Sequence, residues 1–229
     1  MSGLGSGSGA TPEFRERWPG IVSPNPGGCT DPLGESVLDP ANAPLRVFEP
    51  HDLRLVLGRA QDPQRELLLD QVRADAVPVH RRITGGGTVV LAPGSVVVAL
   101  RAPPWNGDVA SCFARINRCL RAAVRECCAV EPGEAGHGDL VIPGPGAQRK
   151  ILGASLRRQR AATIYLGVLL VADLIPLMER YLATPSRRPD YRGQRDHRAF
   201  CTDLARHGAS VAGLIAAVEA ACAQLPTLR

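Results

Sequence analysis

Three consecutive glycines, Gly85, Gly86 and Gly87, constrain the fold of this chain more than any other stretch. Glycine enters the positive-φ region without steric cost and lets main-chain N–H groups approach a ligand directly. Apolar and β-branched residues flank the triplet, at 76–79 before it and at 88–91 after it. This pattern predicts a strand–loop–strand unit. The triplet alone is equally compatible with a tight hairpin that binds nothing.

Two arginines, Arg81 and Arg82, stand directly before the triplet, and Thr84 and Thr88 stand on either side of it. The guanidinium group is a planar fork of N–H donors that matches phosphate and carboxylate oxygens. Residues 81–88, termed the glycine loop below, therefore have the composition of an anion-binding loop. Two solvated arginines beside a turn are the alternative interpretation.

A single lysine adds to the anion-binding interpretation. Of the 27 lysine and arginine residues, all but Lys150 are arginine. Lysine carries a compact charge on a flexible stem, so it can enter a narrow site that a wide guanidinium does not fit. Lys150 also stands at the start of an apolar strand pattern at 149–155. We therefore expect Lys150 to act in a binding or catalytic site, the alternative being a lysine retained by chance.

The composition predicts one globular domain with an aliphatic core. Hydrophobic residues make up 45% of the 229 residues, while aromatic residues make up only 4%. The net charge of +5 suits an anionic small molecule, an acidic protein partner or nucleic acid. The scarcity of aromatic side chains disfavours a platform for stacking single-stranded bases, and we predict no nucleic-acid partner.

The seven cysteines predict reduced thiols in a cytoplasmic protein. Their number is odd, and no two are spaced as CxxC. This pattern fits neither a disulfide framework nor a zinc site, so we predict no metal-binding cluster. No apolar run reaches about 18 residues, and no leader opens the chain, so we expect no membrane span.

Two segments of different composition divide the chain. Residues 1–43 are rich in glycine, serine and proline, which predicts a flexible or irregular N-terminal arm. Residues 44–229 carry the apolar patterns of a folded domain. Strand patterns cover 45–48, 53–58, 88–91, 95–100, 139–142, 149–155 and 164–171. Helix patterns cover 62–75, 108–127, 172–182 and 210–225.

Strands and helices alternate irregularly, which predicts an α+β fold with a mixed β-sheet backed by helices. Pro93 and Gly94 predict a hairpin turn between the strands at 88–91 and 95–100. The polar residues 184–197 predict a surface loop.

In this order, the motifs resemble the catalytic domain of biotin/lipoate protein ligases, and the lipoate–protein ligase A family most closely. The resemblance covers roughly residues 45–225. The glycine loop resembles that family's RR-x-[ST]-GGG-x-V motif, and residues 149–155 resemble its R-K-I-x-G-x-A/S motif. Weaker matches are residues 53–58 with Glu66 to V-L-G…E, the Pro93–Gly94 turn, 138–140 to N-D-L and 167–170 to H-G-T-L-L.

The resemblance implies a single domain related to class II aminoacyl-tRNA synthetases and an ATP-dependent reaction. Lipoate or octanoate would be activated with ATP and Mg²⁺ to acyl-AMP. The acyl group would then pass to a lysine of an acceptor lipoyl domain or of the glycine-cleavage H protein.

The resemblance also implies roles for individual residues. The glycine loop would bind lipoate and phosphate, with Gly153 contributing from the lysine motif. Lys150 would stabilise the adenylation transition state. Arg81 and Arg82 would hold the phosphates or close the loop. Asp139 would face the nucleotide or assist Mg²⁺, a plain loop-capping aspartate being the alternative.

The chain departs from the family pattern at two places. Where the family has His-Gly, this chain has Tyr165 and Leu166 before Gly167, which leaves the acyl pocket and the substrate open. The sequence ends at Arg229, so we expect no C-terminal accessory domain, and a separate accessory subunit is one consequence.

Three other functions compete with a ligase. A transferase of the same fold would carry the acyl group as a thioester on a cysteine, for which Cys127 and Cys128 are the candidates, although both are more simply structural. A lipoate-binding subunit without catalysis would explain the altered region around Tyr165. A nucleic-acid-binding module has only the basic residues 157–160 in its favour.

Overall fold

Two β-sheets form the framework of residues 31–228, the part of the chain that the computed structural model describes. The strands are, in chain order, β1 (Leu45–Phe48), β2 (Arg54–Leu57), β3 (Val79–Arg81), β4 (Val89–Leu91), β5 (Ser95–Ala102), β6 (Gly133–Ala135), β7 (Asp139–Ile142), β8 (Arg149–Arg158) and β9 (Thr163–Leu170). The α-helices are α1 (Pro63–Glu66), α2 (Leu69–Ala74), α3 (Val109–Cys127), α4 (Ile175–Tyr181), α5 (His197–Phe200) and α6 (Val211–Cys222). Short 3-10 helices lie at Glu35–Leu38, Asp190–Arg192 and Ala205–His207.

The larger sheet has the strand order β1-β5-β9-β8-β7-β6, and its neighbouring strands are antiparallel throughout. Helices α3 and α6 pack against each other and against this sheet. The side chains buried between them are largely aliphatic, and Ile116, Leu120 and Leu214 are fully buried. The predicted α+β fold with a sheet backed by helices is confirmed.

Local capping fixes where the two long helices begin. The Asp108 carboxylate accepts a hydrogen bond from the Ser111 N–H at 2.8 Å, so α3 starts where the sequence predicts. The Ser210 hydroxyl accepts from the Gly213 N–H at the start of α6 in the same way. Both helices then present an apolar face to the sheet.

The smaller sheet has the order β3-β2-β4, with β2 parallel to β3 and antiparallel to β4. It packs on the face of β5 that points away from the helices. Val96 and Val98 of β5 face the helix side, whereas Val97 and Ala99 contact Val56 of the small sheet in a separate apolar cluster. Strand β5 is therefore covered on both faces, which explains its continuous apolar sequence.

The predicted hairpin between β4 and β5 is wrong, because the two strands belong to different sheets. The turn at Pro93–Gly94 instead carries the chain from the small sheet to the large one. Gly94 has φ +92°, and its carbonyl accepts hydrogen bonds from the N–H groups of Val171 and Ala172. A Cβ at Gly94 would lie 2.5 Å from the Ala172 Cβ, so the turn needs glycine.

The helix predicted at 62–75 is interrupted. Asp62 caps α1 by accepting from the Gln64 N–H, as expected, but the backbone is extended at Leu67 and non-helical at Leu68 before α2 begins. Leu67 forms a β-bridge with Leu182, and the Leu68 N–H donates to the Tyr181 carbonyl. These tertiary hydrogen bonds replace the helical ones at the break.

Part of the predicted N-terminal arm lies against the domain. Residues 31–43 include the 3-10 helix Glu35–Leu38, and the side chains of Leu33 and Val37 are buried. Residues 1–30 lie outside the described part of the chain, and the division at residue 43 stays a prediction. Within residues 31–228, no helix has both the length and the apolar character needed to span a bilayer.

Candidate active site

A pocket lies between the glycine loop and strand β8, the two motifs that the sequence singles out. Its empty space is about 400 Å³, part of which is open to solvent. The lining residues come from the glycine loop, β4, β8, β9 and the segment before β1: Leu33, Arg82, Gly87, Thr88, Val89, Lys150, Gly153, Ala154, Ser155, Leu166 and Val168. The fold thus brings together two motifs about 60 residues apart in the sequence.

Arg82 holds the glycine loop from within. Its side chain is buried, and its guanidinium donates to the carbonyl oxygens of Gly85 at 2.7 Å and Gly87 at 2.6 Å. A third donor reaches the Val56 carbonyl in β2 at 3.2 Å. Burial lowers the pKa of Arg82 to about 10, so the group stays charged at neutral pH. Of the two roles open for the arginines, this geometry matches loop closure.

Arg81 ties the glycine loop to the turn that follows β2. Its guanidinium donates to the carbonyl oxygens of Gly58, Arg59 and Gln61 at 2.8–2.9 Å. The turn and the loop touch closely, since a Cβ at Gly58 would lie 2.1 Å from the Gly86 carbonyl oxygen. Arg81, like Arg82, therefore uses its donors on main-chain oxygens.

Three further polar contacts fix the glycine loop. The Thr84 hydroxyl lies 2.8 Å from the Ser155 hydroxyl and joins the loop to β8. The Thr88 hydroxyl donates to the Gln61 side-chain oxygen at 2.9 Å, and the Gly58 N–H donates to the same oxygen at 2.8 Å. Gln61 was not singled out from the sequence, where a lone glutamine in a turn carries no signal.

Lys150 forms an ion pair with Asp139 across strands β7 and β8. The Lys150 Nζ lies 2.9 Å from Asp139 Oδ1, and the two side chains are 23% and 13% exposed. The other carboxylate oxygen of Asp139 accepts from the Tyr191 hydroxyl at 2.7 Å. A Cβ at Gly153 would lie 2.9 Å from the Lys150 Nζ, so glycine leaves the space that the lysine head occupies.

The segment that contains Tyr191 and Phe200 covers this ion pair. The Lys150 Nζ lies 5.9 Å from the centre of the Phe200 ring, and the Thr202 N–H donates to the Lys150 carbonyl at 2.9 Å. Burial and the neighbouring Asp139 raise the pKa of Tyr191, which keeps its hydroxyl a donor. Sequence reasoning placed most of this segment in a surface loop. The presence of Tyr191 and Phe200, two of the chain's few aromatic residues, in one polar stretch could have indicated that this segment packs against the site.

At the departure from the family's His-Gly, Leu166 lines the pocket and Tyr165 does not. Tyr165 is fully buried on the helix side of the sheet and contacts Phe113 edge to face, with ring centres 6.2 Å apart. Its neighbour Leu166 points to the opposite face and lines the pocket with Val168. An apolar leucine therefore stands where the resemblance expects a histidine, immediately before Gly167.

None of the cysteines considered for a thioester lines the pocket. Cys128 packs in the helix-side core, and burial raises the pKa of both Cys127 and Cys128. Cys201 lies beside Lys150 instead, because the two residues form a parallel β-bridge. Burial also raises the pKa of Cys201. The six cysteines within residues 31–228 are free thiols.

The sequence profile of the lipoyl protein ligase A/B catalytic domain matches residues 33–224 of this chain. The chain is 25% identical to lipoate-protein ligase A of Bdellovibrio bacteriovorus over 167 residues, which are 73% of this chain and 48% of that protein. It is 24% identical to lipoate-protein ligase A subunit 1 of Thermoplasma acidophilum over 152 residues, which are 63% of this chain and 57% of that protein. The chain thus spans about half the length of these curated relatives.

Solved structures show the same fold. The bipartite lipoate protein ligase of Thermoplasma acidophilum superposes with a TM-score of 0.68 at 21% identity, covering 79% of this chain and 70% of that one. A lipoate-protein ligase A bound with ATP superposes with a TM-score of 0.66 at 21% identity, covering 79% and 71% of the two chains.

Proposed function

This chain belongs to the lipoyl protein ligase A/B catalytic-domain family, and we propose that it acts as a lipoate–protein ligase. It activates lipoate or octanoate with ATP to acyl-AMP and transfers the acyl group to a lysine of an acceptor protein. The observation that carries the proposal is the position of Lys150. The chain's only lysine lies in the wall of a pocket whose other walls are the glycine loop and an apolar surface.

The pocket suits an acid with an apolar chain. Its apolar wall is formed by Leu33, Val89, Leu166 and Val168, which belong to one cluster between the sheets. Its polar wall includes the cationic head of Lys150. A carboxylate near the ammonium group and a chain along the apolar wall would satisfy both surfaces.

In the first half-reaction, a carboxylate oxygen bonds to the α-phosphorus of ATP as the bond to pyrophosphate breaks, and the electron pair leaves with pyrophosphate. Negative charge builds on the oxygens between the two reactants. Lys150, held by Asp139, would stabilise that charge without reorientation, and loop N–H groups such as that of Gly87 would add donors. In the second half-reaction, the acceptor amine attacks the acyl carbonyl and AMP departs.

The side chains around the pocket bear on how magnesium would bind with ATP. Among residues 31–228, no group of three or more His, Cys, Asp or Glu side chains is arranged to hold a metal ion. The two oxygens of Asp139 already bind Lys150 and Tyr191. We therefore propose that Mg²⁺ enters on the phosphate oxygens of ATP and that Asp139 positions Lys150.

The relatives guide the choice of partners. The Thermoplasma acidophilum protein is named as subunit 1 of a ligase, and its structure is described as a bipartite ligase with an E2 lipoyl domain. We propose, on that likeness, that the acceptor is a lipoyl domain or a glycine-cleavage H protein. A separate accessory chain is part of the same proposal.

Mass spectrometry tests the proposal directly. Purified protein is incubated with ATP, Mg²⁺ and lipoate or octanoate, and acyl-AMP and acid-dependent pyrophosphate release are measured. Synthetic lipoyl-AMP with a lipoyl domain then tests the transfer step alone, without ATP. The proposal predicts the transfer product from this chain alone, and the adenylate from this chain alone or together with its accessory chain. Failure to form the adenylate and failure to transfer from synthetic lipoyl-AMP would together overturn it.

A cysteine-based acyltransferase is the second candidate, because Cys201 lies beside Lys150. In that reaction the thiolate would take the acyl group from an acyl carrier protein as a thioester, without ATP. The raised pKa of the buried Cys201 thiol opposes this role. Octanoyl transfer that needs no ATP and is lost in Cys201→Ser would favour the transferase. Lipoate binding without either activity would indicate a non-catalytic subunit.

A further inference from the structure

The segment 31–38, which precedes β1, is fastened to the domain at several points. Arg46 Nη1 donates to the Asp31 carboxylate and to the Ser36 hydroxyl. Arg101 Nε donates to the Val37 carbonyl at 2.6 Å. These contacts join the segment to β1 and β5 of the large sheet, so it is held as part of the domain.

Gly34 lets this segment lie directly on β5. It has φ +73°, and a Cβ at this position would lie 2.7 Å from the Ala99 Cβ. A larger residue would both strain the backbone and lift the segment from the sheet. The close approach places the residues on either side of Gly34, Leu33 and Glu35, at the pocket and the glycine loop.

Leu33 and Glu35 each contact a different part of the candidate site. Leu33 is 2% exposed, lines the pocket, and shares its apolar cluster with Leu166 and Val168. The Glu35 Oε1 accepts a hydrogen bond from the Ile83 N–H at 2.8 Å, at the start of the glycine loop. Segment 31–38 therefore contacts both the apolar wall of the pocket and the glycine loop.

We propose that segment 31–38 forms part of the acid-binding site. Leu33 limits the length of the acyl chain that the pocket accepts, and Glu35 positions the glycine loop. This inference rests on the proposed function, because it assumes that the pocket binds an acyl chain. It adds a further element to a site otherwise built from the glycine loop and strands β4, β8 and β9. Glu35 acts through the main chain of the loop and is a positioning residue.

The electrostatic surroundings support a dedicated role for Glu35. The carboxylate is partly buried near the cationic Arg82, and one of its oxygens accepts a hydrogen bond from the Ile83 N–H of the loop whose carbonyl oxygens Arg82 binds. Burial raises the pKa of Glu35, while the Ile83 N–H and Arg82 oppose that rise. Partial burial of a carboxylate costs stability unless its oxygens are hydrogen-bonded, and the Ile83 N–H supplies such a partner from the loop.

Chain-length selectivity tests the role of Leu33. Binding of hexanoate, octanoate, decanoate and dodecanoate is measured by calorimetry for wild type, Leu33→Ala and Val37→Ala. Val37 is the matched control, because it is buried in the same segment and cluster but does not line the pocket. Leu33→Ala should raise the affinity for decanoate relative to octanoate by roughly fivefold or more, since each buried methylene is worth about fourfold in affinity.

The outcomes separate this inference from the proposed function. If wild type binds none of the acids, the proposed function fails. If wild type binds them and Leu33→Ala keeps the wild-type order, or Val37→Ala shifts it equally, only the inference fails. Should Leu33→Ala not fold, Leu33→Val is expected to shift the selectivity in the same direction by a smaller factor, and an unchanged order there counts against the inference.

Conservative replacement tests the role of Glu35. Glu35→Gln keeps an oxygen that can accept the Ile83 N–H, whereas Glu35→Ala removes it. Positioning of the loop predicts that Glu35→Ala raises the KM for the acid by about tenfold and that Glu35→Gln restores most of it. Equal thermal melting temperatures for the two variants exclude a difference in folding. If Glu35→Gln is as damaging as Glu35→Ala, the hydrogen-bond assignment is wrong.

Discussion

The ammonium group of Lys150 lies 2.9 Å from a carboxylate oxygen of Asp139, on the neighbouring strand β7. Both side chains are largely shielded from solvent, so the attraction between them is stronger than in a surface ion pair. Asp139 is in turn held by the Tyr191 hydroxyl. The lysine head therefore has a defined position before any substrate arrives, which is the property that electrostatic stabilisation of a transition state requires.

Replacing Asp139 by Asn should slow adenylate formation by about 10–100-fold, because Lys150 loses a charged partner that fixes its head. Single-turnover formation of acyl-AMP measures the effect. Tyr191→Phe is the matched control, since it removes the second hydrogen bond to Asp139 and leaves the ion pair in place. A loss in Tyr191→Phe as large as in Asp139→Asn would contradict a specific role for the ion pair.

Replacing Lys150 by Arg should damage adenylation nearly as much as replacing it by Ala. The lysine head lies against the main chain of Gly153, where a Cβ would already approach within 2.9 Å, so a wider guanidinium does not fit the same place. Loss of one preorganised donor typically costs about 3–4 kcal/mol, or roughly 10²–10³ in rate. Affinity for the acid should fall less, because the apolar wall is unchanged.

Single-turnover adenylation of the two Lys150 variants checks this prediction, with circular dichroism to confirm folding. A rate for Lys150→Arg within about threefold of wild type would mean that a cation of any shape suffices. The catalytic assignment of Lys150 would then have to be withdrawn.

Local patterns in the sequence predicted the features that depend on near neighbours. The cap at Asp108, the start of α3 and most strand positions follow from side chains within a few residues of each other. The placement of β4 and β5 in different sheets could not be predicted in this way. A Pro–Gly turn has the same local chemistry whether it joins two strands of one hairpin or two strands of different sheets. The break in the helix at Leu67 was also missed, because it depends on a β-bridge to Leu182, a residue far along the chain.

The candidate site shows the same division. Glycine loop and lysine strand were predicted to act together, and the structure joins them through Thr84 and Ser155. The arginines were harder to interpret, since a forked donor suits a carbonyl oxygen as well as a phosphate, and only burial reveals which one it meets. The covering segment with Tyr191 and the wall residue Leu33 were missed, because both lie in polar or proline-rich stretches with no apolar period.

Cys119 should be the fastest of the described cysteines to react with iodoacetamide near neutral pH. Its side-chain interaction with Cys222 and the nearby Arg118 lower the pKa of Cys119 to about 7, against partial burial. Its thiolate fraction then passes one half near pH 7, while Cys127, whose pKa is raised by burial, stays protonated. Peptide mapping across pH 6–9 measures both rates. Cys222→Ala should move the Cys119 profile to higher pH, and an unmoved profile would contradict the stated cause.

Gly86 should be the least replaceable glycine of the loop. It has φ +88°, a conformation that costs a non-glycine residue roughly 1–2 kcal/mol and a β-branched one more. A Cβ there would also lie 3.0 Å from the Arg82 Nη2 that holds the loop. Gly85→Ala is the matched control, because its Cβ would meet nothing within 4 Å and its backbone is not in the positive-φ region.

We expect Gly86→Val to weaken octanoate binding by about tenfold or more, while Gly85→Ala stays within about threefold of wild type. The reason is that strain at Gly86 shifts the main-chain N–H groups and the arginine together, whereas a methyl group at Gly85 points into open space. Calorimetric titration with octanoate, alongside thermal unfolding of each variant, measures the two effects. If Gly86→Val folds and binds the acid as wild type does, the loop is only a turn between strands, and its assignment to the binding site is wrong.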